Sequence, residues 1–151
     1  YSHRLALAEF FADSLLDGPR PAGDLVLPLP LSPARLRERG FNQAVEIARP
    51  IARILRLPLA LDLCLRAETP PQAGLPWKQR RKNVRHAFEC RADLSGARIL
   101  VVDDVMTTGA TLDELARTLK KHGAREVINW VVARTTKDHA SRSQALRFQK
   151  S

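Results

Sequence analysis

The chain is short of sulfur, aromatics and long apolar runs, and each shortage excludes something. Only two cysteines, Cys64 and Cys90, occur in 151 residues. Their spacing matches neither a metal motif nor a disulfide framework, so they read as two reduced thiols. The longest apolar stretches, around Leu25–Leu31 and Ile99–Val102, fall well below the roughly 20 residues of a membrane-spanning helix. No secretory signal is visible at the start, so a cytoplasmic location is expected. The chain opens on Tyr1 and its only methionine is Met106, so residues are expected to precede Tyr1. Negative charge is also scarce: 16 acidic residues face 25 basic ones, for a net charge of +9.

What is present is an ordinary globular composition. The hydrophobic fraction of 44% excludes wholesale disorder. A length of 151 residues fits one compact domain. Of the basic residues, six are Lys and 19 are Arg. The planar guanidinium fork suits phosphate oxygens, and a basic domain attracts nucleic acid or a small polyphosphate. An Arg-rich proteome would give the same charge, so charge alone does not choose.

The hydrophobic pattern predicts elements in the following order. Residues 3–16 read as a helix ending at Gly18-Pro19. Asp24–Leu29 reads as a short strand, and Leu31–Gly40 as a polar loop with four charges. Asn42 opens a helix whose buried stripe is Ala44, Val45, Ile47, Ala48, Ile51, Ile54 and Leu55. Pro50 should kink or restart it, because proline lacks the N–H for the backbone ladder. Leu59–Leu65 reads as a strand. Residues 66–86 are proline-rich and then basic, the pattern of a functional lid or a disordered loop. Arg98–Val102 is a buried strand, 111–122 an amphipathic helix with Gly123 as its terminal glycine, and Glu126–Ala133 a second buried strand. Strand, loop, helix, strand implies a parallel sheet with a right-handed crossover.

The densest chemistry lies in Ile99-Leu-Val-Val-Asp103-Asp104-Val-Met-Thr107-Thr108-Gly109-Ala-Thr111. A buried strand delivers two adjacent carboxylates to its C-terminal end, where open α/β sheets bind ligands. The loop that follows offers Gly109 for close backbone approach and hydroxyls from Thr107, Thr108 and Thr111. A helix N-terminus with free amides closes it. A sugar phosphate fits that polarity, its phosphate on the amides and its hydroxyls on the carboxylates, with Mg²⁺ as a bridging cation. Singly, the parts read more plainly. Thr111 and Glu114 form a capping-box pattern, and an Asp-Asp pair after a strand is commonly a solvated turn. Neither accounts for the whole block.

This block resembles the phosphoribosyl pyrophosphate (PRPP) signature of type I phosphoribosyltransferases. The resemblance implies their α/β fold, a parallel central sheet flanked by helices with a flexible lid. It implies that Asp103 and Asp104 meet the ribose hydroxyls, and that Val105, Met106, Thr107, Thr108, Gly109, Ala110 and Thr111 wrap the 5′-phosphate. It also implies Mg²⁺ held by Asp103, Asp104 and the ligand phosphates. The run Leu27-Pro-Leu-Pro30, with Arg35, Arg39-Gly40-Phe41-Asn42-Gln43, Pro71-Gln72, Leu75, Arg80, Asn83, Ala87-Phe88 and Arg134-Thr135, is similar to the competence protein F (ComF) family. By position, Leu29–Arg39 would grip the pyrophosphate and Thr69–Asn83 would be the lid. That gives Leu31, Ser32, Arg35, Arg39, Asn42, Gln43, Arg80 and Asn83 site roles. Arg37 and Arg81 read equally well as surface cations, and Asn42 equally well as a helix cap. Trp77 reads as a base-stacking residue or an apolar anchor, and Trp130 as packing.

Two departures from the pattern stand out. ComF-type proteins carry an N-terminal four-cysteine zinc ribbon that these residues do not contain, so no zinc is expected here. Purine transferases carry an acid two residues before the motif glycine, and Thr107 stands there instead. Residues 1–135 are expected to form the phosphoribosyltransferase-like domain, and 136–151 a disordered basic tail.

Three functions are open, and the intact acid pair and Gly109 speak against one of them, a partner-docking domain that kept the fold and lost the ligand; two remain. One is PRPP binding, with or without transfer to a nitrogen nucleophile. The other is a ligand-gated DNA handler without turnover, with single-stranded DNA and the DNA-uptake machinery as partners. Residues 66–91 carry seven cations against two anions, and 134–151 carry five against one.

Overall fold

The computed structural model describes residues 10, 12–68, 84–106, 109–134 and 149–150. Its centre is a four-stranded sheet in the order β1 (Leu25–Pro28), β4 (Arg98–Met106), β5 (Glu126–Arg134), β6 (Gln149–Lys150). β1, β4 and β5 run parallel, and β6 is antiparallel to β5. A separate antiparallel pair joins β2 (Cys64–Arg66) to β3 (Phe88–Cys90). The helices are α1 (Pro33–Arg39), α2 (Gln43–Leu55) and α3 (Ala110–Lys121).

Strand alternation sorts the core into two faces. Leu27, Ile99, Val101, Val127 and Val131 pack with Leu112, Leu115, Ala116 and Leu119 of α3 and with Cys64, Phe88 and Cys90 of the hairpin. Val26, Leu100, Val102, Ile128 and Trp130 pack with Ala12, Leu15 and the α2 residues Ile47, Ala48, Ile51 and Ala52. Both faces of the sheet are therefore covered, as a parallel sheet requires. Trp130 is core packing, as read from the sequence. Asp24 pins the N-terminal edge, accepting from Arg98 N at 2.8 Å and Nη2 at 2.9 Å. The C-terminal ends of β1 and β4 lie at the opposite edge.

Several expectations need correction. Leu31–Gly40 is not a loop, since α1 occupies it. Ser32 caps the helix, Pro33 supplies a preset φ at its start, and Gly40 ends it at φ 74, which together are a complete set of helix punctuation. Pro50 neither kinks nor restarts α2, which is continuous from Gln43 to Leu55. The stripe on either side of it, Ile47 and Ala48 before and Ile51 and Ala52 after, packs on one face of the sheet and outweighs the missing hydrogen bond. Ile54 is 40% exposed and so lies off that stripe. Leu59–Leu65 is not one strand. Leu59 makes a single parallel bridge to Val26, residues 61–63 bend, and β2 begins at Cys64. β4 runs four residues past Val102, carrying both acids in the strand, with Asp103 paired to Val131 of β5. Within the stretch expected as a tail, Gln149–Lys150 pair with β5; 135–148 and 151 lie outside the described residues. The helix expected over 3–16 is described only at Phe10 and 12–16.

Candidate functional site

β4 extends beyond Val102 because Val105 and Met106 still pair with Ala133 and Arg134 of β5. Asp103 is thereby held inside the sheet edge, only 8% exposed, with Asp104 half-buried beside it. The pair is not a solvated turn. Asp103 Oδ1 accepts from Asp104 N at 2.9 Å, and Asp104 Oδ1 accepts from Val105 N at 2.9 Å. Burial pushes the Asp103 carboxyl up to about 7, and the hydrogen bond and charge of Asp104 push the same way. The amide of Asp104 and the charge of Arg66 oppose that rise. A carboxyl this buried, at a strand's C-terminal end, is a functional-site signature.

Gly109 precedes α3 at φ 76 and caps it with no side-chain hydrogen bond. The capping box read from Thr111 and Glu114 does not form. Glu114 instead turns to the hairpin side, accepting from His86 N at 2.8 Å and from Arg117 Nη2 at 2.6 Å and Nε at 3.0 Å. Burial raises the Glu114 carboxyl, yet the Arg117 and His86 hydrogen bonds and charges outweigh it, and the net shift is downward. Gly109, which opens α3, brings no side chain to the helix start, the kind of position that favours an anion. Val105 and Met106 end β4 just before it, with Val105 42% exposed, and Gly109, Ala110 and Thr111 open the helix. Thr107 and Thr108 lie outside the described residues.

The segment after β1 arrives beside this site. Leu29 N donates to Val102 O at 2.8 Å, one residue before Asp103. Ser32 is buried, its hydroxyl accepting from Arg35 N as the cap of α1. Asn42 donates to Leu29 O at 3.0 Å and accepts from Ala44 N at 3.0 Å. Capping is thus what its atoms do, and it also ties α2 to the end of β1. Leu31 and Gln43 are half-buried, while Arg35 and Arg39 are exposed. Arg37 stands 3.8 Å from Glu68 across an exposed surface, in keeping with its reading as a surface cation. Arg80 and Asn83, with the rest of 69–83, lie outside the described residues, as do Arg81 and Trp77.

One residue escaped sequence reasoning. Arg66, at the end of β2, is half-buried, and its guanidinium carbon sits 5.6 Å from the centre of the Phe88 ring. Its Nε is buried with no hydrogen-bond partner. Burial lowers its proton affinity, as does the charge of Arg35, while Asp103 raises it. The only hint in the sequence was a cation closing a run of alternating leucines.

Among the described residues, no cluster of three or more His, Cys, Asp or Glu side chains is placed to hold a metal. Asp103 and Asp104 supply two hard oxygen donors, a fit for Mg²⁺ only when ligand oxygens complete the shell. No described helix is long and apolar enough to cross a membrane.

Comparison with known proteins agrees with this geometry. The phosphoribosyl transferase domain family matches residues 42–148. Competence protein F of Haemophilus influenzae is 36% identical over 115 residues, 74% of this chain and 50% of that protein. The DNA utilization protein YhgH of Salmonella typhi is 33% identical over 135 residues, 86% of this chain and 60% of that protein. The chain thus spans about half the length of the curated relatives it matches. Among solved structures, the glutamine PRPP amidotransferase from B. subtilis complexed with ADP and GMP superimposes with a TM-score of 0.56. It is 20% identical, covering 82% of this chain and 25% of that one, a likeness of fold alone. The ComF resemblance and the type I phosphoribosyltransferase fold read from the motif both stand.

Proposed function

We propose that this chain, which belongs to the phosphoribosyl transferase domain family, binds PRPP or a related phosphoribosyl ligand at the C-terminal end of β4. The observation that carries the reading is the buried Asp103 beside Asp104 at the C-terminal end of a parallel strand, with Gly109 and the start of α3 following in the chain. The 5′-phosphate would take the Gly109–Thr111 backbone, with Thr107 and Thr108 adding hydroxyls. The ribose hydroxyls would meet Asp103 and Asp104. Mg²⁺, when bound through those carboxylates and ligand phosphates, would neutralise charge on the pyrophosphate. Arg35 and Arg39, with Arg80 and Asn83 from the segment 69–83, would face the pyrophosphate, where cations stabilise a departing anion. Transfer to a nitrogen acceptor is one use of such a site.

Calorimetric titration with PRPP and Mg²⁺ tests this. The wild type should bind, and Asp103→Asn/Asp104→Asn should lose about 100-fold or more in affinity, as expected when two charge-assisted contacts go. Binding by the double variant equal to wild type would remove the reading.

A second reading has its own support. The relatives named for competence and DNA utilization, together with the +9 charge, favour a phosphoribosyl-gated protein that handles single-stranded DNA with the uptake machinery and without turnover. Pyrophosphate release with a panel of bases and amines separates the two. A silent panel, with DNA binding that weakens steeply as salt rises, would favour the second.

A further inference from the structure

β2 and β3 bring the two cysteines of the chain face to face. Cys64 stands directly opposite Cys90 in the antiparallel register. Arg91 N donates to Leu63 O at 3.2 Å, which makes Cys64/Cys90 a narrow, non-hydrogen-bonded pair. Such a pair sets its Cα atoms about 4.5 Å apart, inside the roughly 4.4–6.8 Å that a disulfide spans. Both side chains enter one core cluster, while Leu65 and Glu89 on the next rung are exposed. Both thiols are free, and they differ in access. Cys64 is 1% exposed. Burial pushes its thiol up, and a side-chain hydrogen bond with Cys90 pushes the same way. Cys90 lies on the wall of a surface cleft of about 500 Å³, its thiol donating to Ala92 O at 4.0 Å. Arg91, Lys121 and His122 line that cleft with it. Its single acid, Asp93, accepts from Ser95 N at 3.0 Å and Oγ at 2.6 Å. Arg91 also meets Glu89 at 3.6 Å, an exposed pair of little strength. The cleft therefore leads an anion to Cys90, with Cys64 behind it.

We propose that Cys90 and Cys64 form a dithiol site that exchanges with a small anionic disulfide, of the class of glutathione disulfide, admitted through this cleft. The Cys90 thiolate attacks one sulfur of the small disulfide. That S–S bond breaks, a mixed disulfide forms on Cys90, and the first small thiolate leaves with the proton Cys90 released. Cys64 then attacks the Cys90 sulfur. Its proton passes to the second departing thiolate as the Cys64–Cys90 bond closes. Two protein thiols are oxidised, one small disulfide is reduced to two thiols, and no other oxidant is needed. The buried Cys64 is a poor nucleophile toward solution. It already stands opposite the mixed disulfide, however, so its step is intramolecular. The product staples β2 to β3.

The test exposes the whole folded chain, without denaturant, to glutathione disulfide and follows intact mass and non-reducing electrophoresis. Wild type should lose the mass of two hydrogens, form no covalent dimer, and revert with dithiothreitol. Cys64→Ala should stop with one glutathionyl group on Cys90. Cys90→Ala should react at least about tenfold more slowly than wild type, as a buried thiol that holds its proton does. Arg91→Gln/Lys121→Gln should slow glutathione disulfide by about 3- to 10-fold and neutral hydroxyethyl disulfide by less than about twofold, because only the anion is steered. Wild type that keeps both thiols throughout overturns the proposal, whatever the variants do. So does a covalent dimer in place of the internal bond, or Cys90→Ala reacting as fast as wild type. Equal slowing of both reagents in the arginine and lysine variant would overturn the cleft as the entry for an anion.

Discussion

At the scale of single residues, the site holds a carboxyl at a cost to the fold. Asp103 has its carboxyl raised to about 7 by burial, against an ordinary value of 3.8. Between those values the folded chain keeps a proton that the unfolded chain has released. Stability should therefore fall as pH rises through that window, by about 1.4 kcal/mol per pH unit. Asn imitates the protonated carboxyl without the charge. Asp103→Asn should thus melt higher than wild type at pH 8 and within about a degree of it at pH 4, since the difference is the charge term alone. Differential scanning calorimetry at the two pH values checks this, and an equal shift at both would refute it. A residue that weakens the empty fold and, as proposed, would hold the ligand is a stability–function trade. The acid pair and Gly109 were legible in the sequence because residue type and spacing carried their chemistry. How deeply Asp103 is buried was not legible, because it depends on β5 continuing to Arg134 beside it. Arg66 was invisible for a similar reason: its significance comes from Phe88, Arg35 and Asp103, which are distant in the chain and meet only through the hairpin.

At the scale of elements, hydrophobic period was a good guide wherever an element packs on the sheet. β1, β4, β5, α2 and α3 were all expected, and each buries a continuous stripe. α1 was missed because it buries nothing, so it has no period to detect. Its signals are Ser32, Pro33 and Gly40, which outline a helix whatever lies between them. The Thr111–Glu114 pattern failed in the opposite sense. A local capping signal was overridden because the distant His86 amide, together with Arg117 one turn along α3, takes the same carboxylate. His86 has φ 60, a left-handed conformation uncommon for a side chain with a Cβ. Glu114 holds that turn to α3, at the end of the segment beginning after Glu68. Glu114→Ala should cost about 1.5–3 kcal/mol, the worth of a hydrogen bond to a charged group. Because the Glu114 carboxyl is held below its ordinary 4.5, its contribution should be present above that value and fade as pH falls below it. Urea unfolding at neutral pH should show a lower midpoint with an unchanged slope. A midpoint equal to wild type would mean that the His86 amide finds another partner without cost.

At the scale of the molecule, the arrangement has two ends with different work. At one edge of the sheet, Asp24 and Arg98 lock β1 to β4. At the other, β4 ends with Asp103 and Asp104, α1 follows β1, and Arg66 at the end of β2 feels the charge of Asp103. Charge belongs to this scale as well. A chain of net charge +9 concentrates anions around itself whatever its site does, so affinity for a polyanion alone says little about the site. The discriminating question is where a small phosphoribosyl ligand lands. Amide chemical-shift mapping of the labelled chain, titrated with ribose 5-phosphate and Mg²⁺, answers it directly. The account predicts saturable shifts concentrated in residues 103–112 that are absent from Asp103→Asn/Asp104→Asn. Shifts scattered over surface arginines, or none in that stretch at saturating ligand, would contradict it.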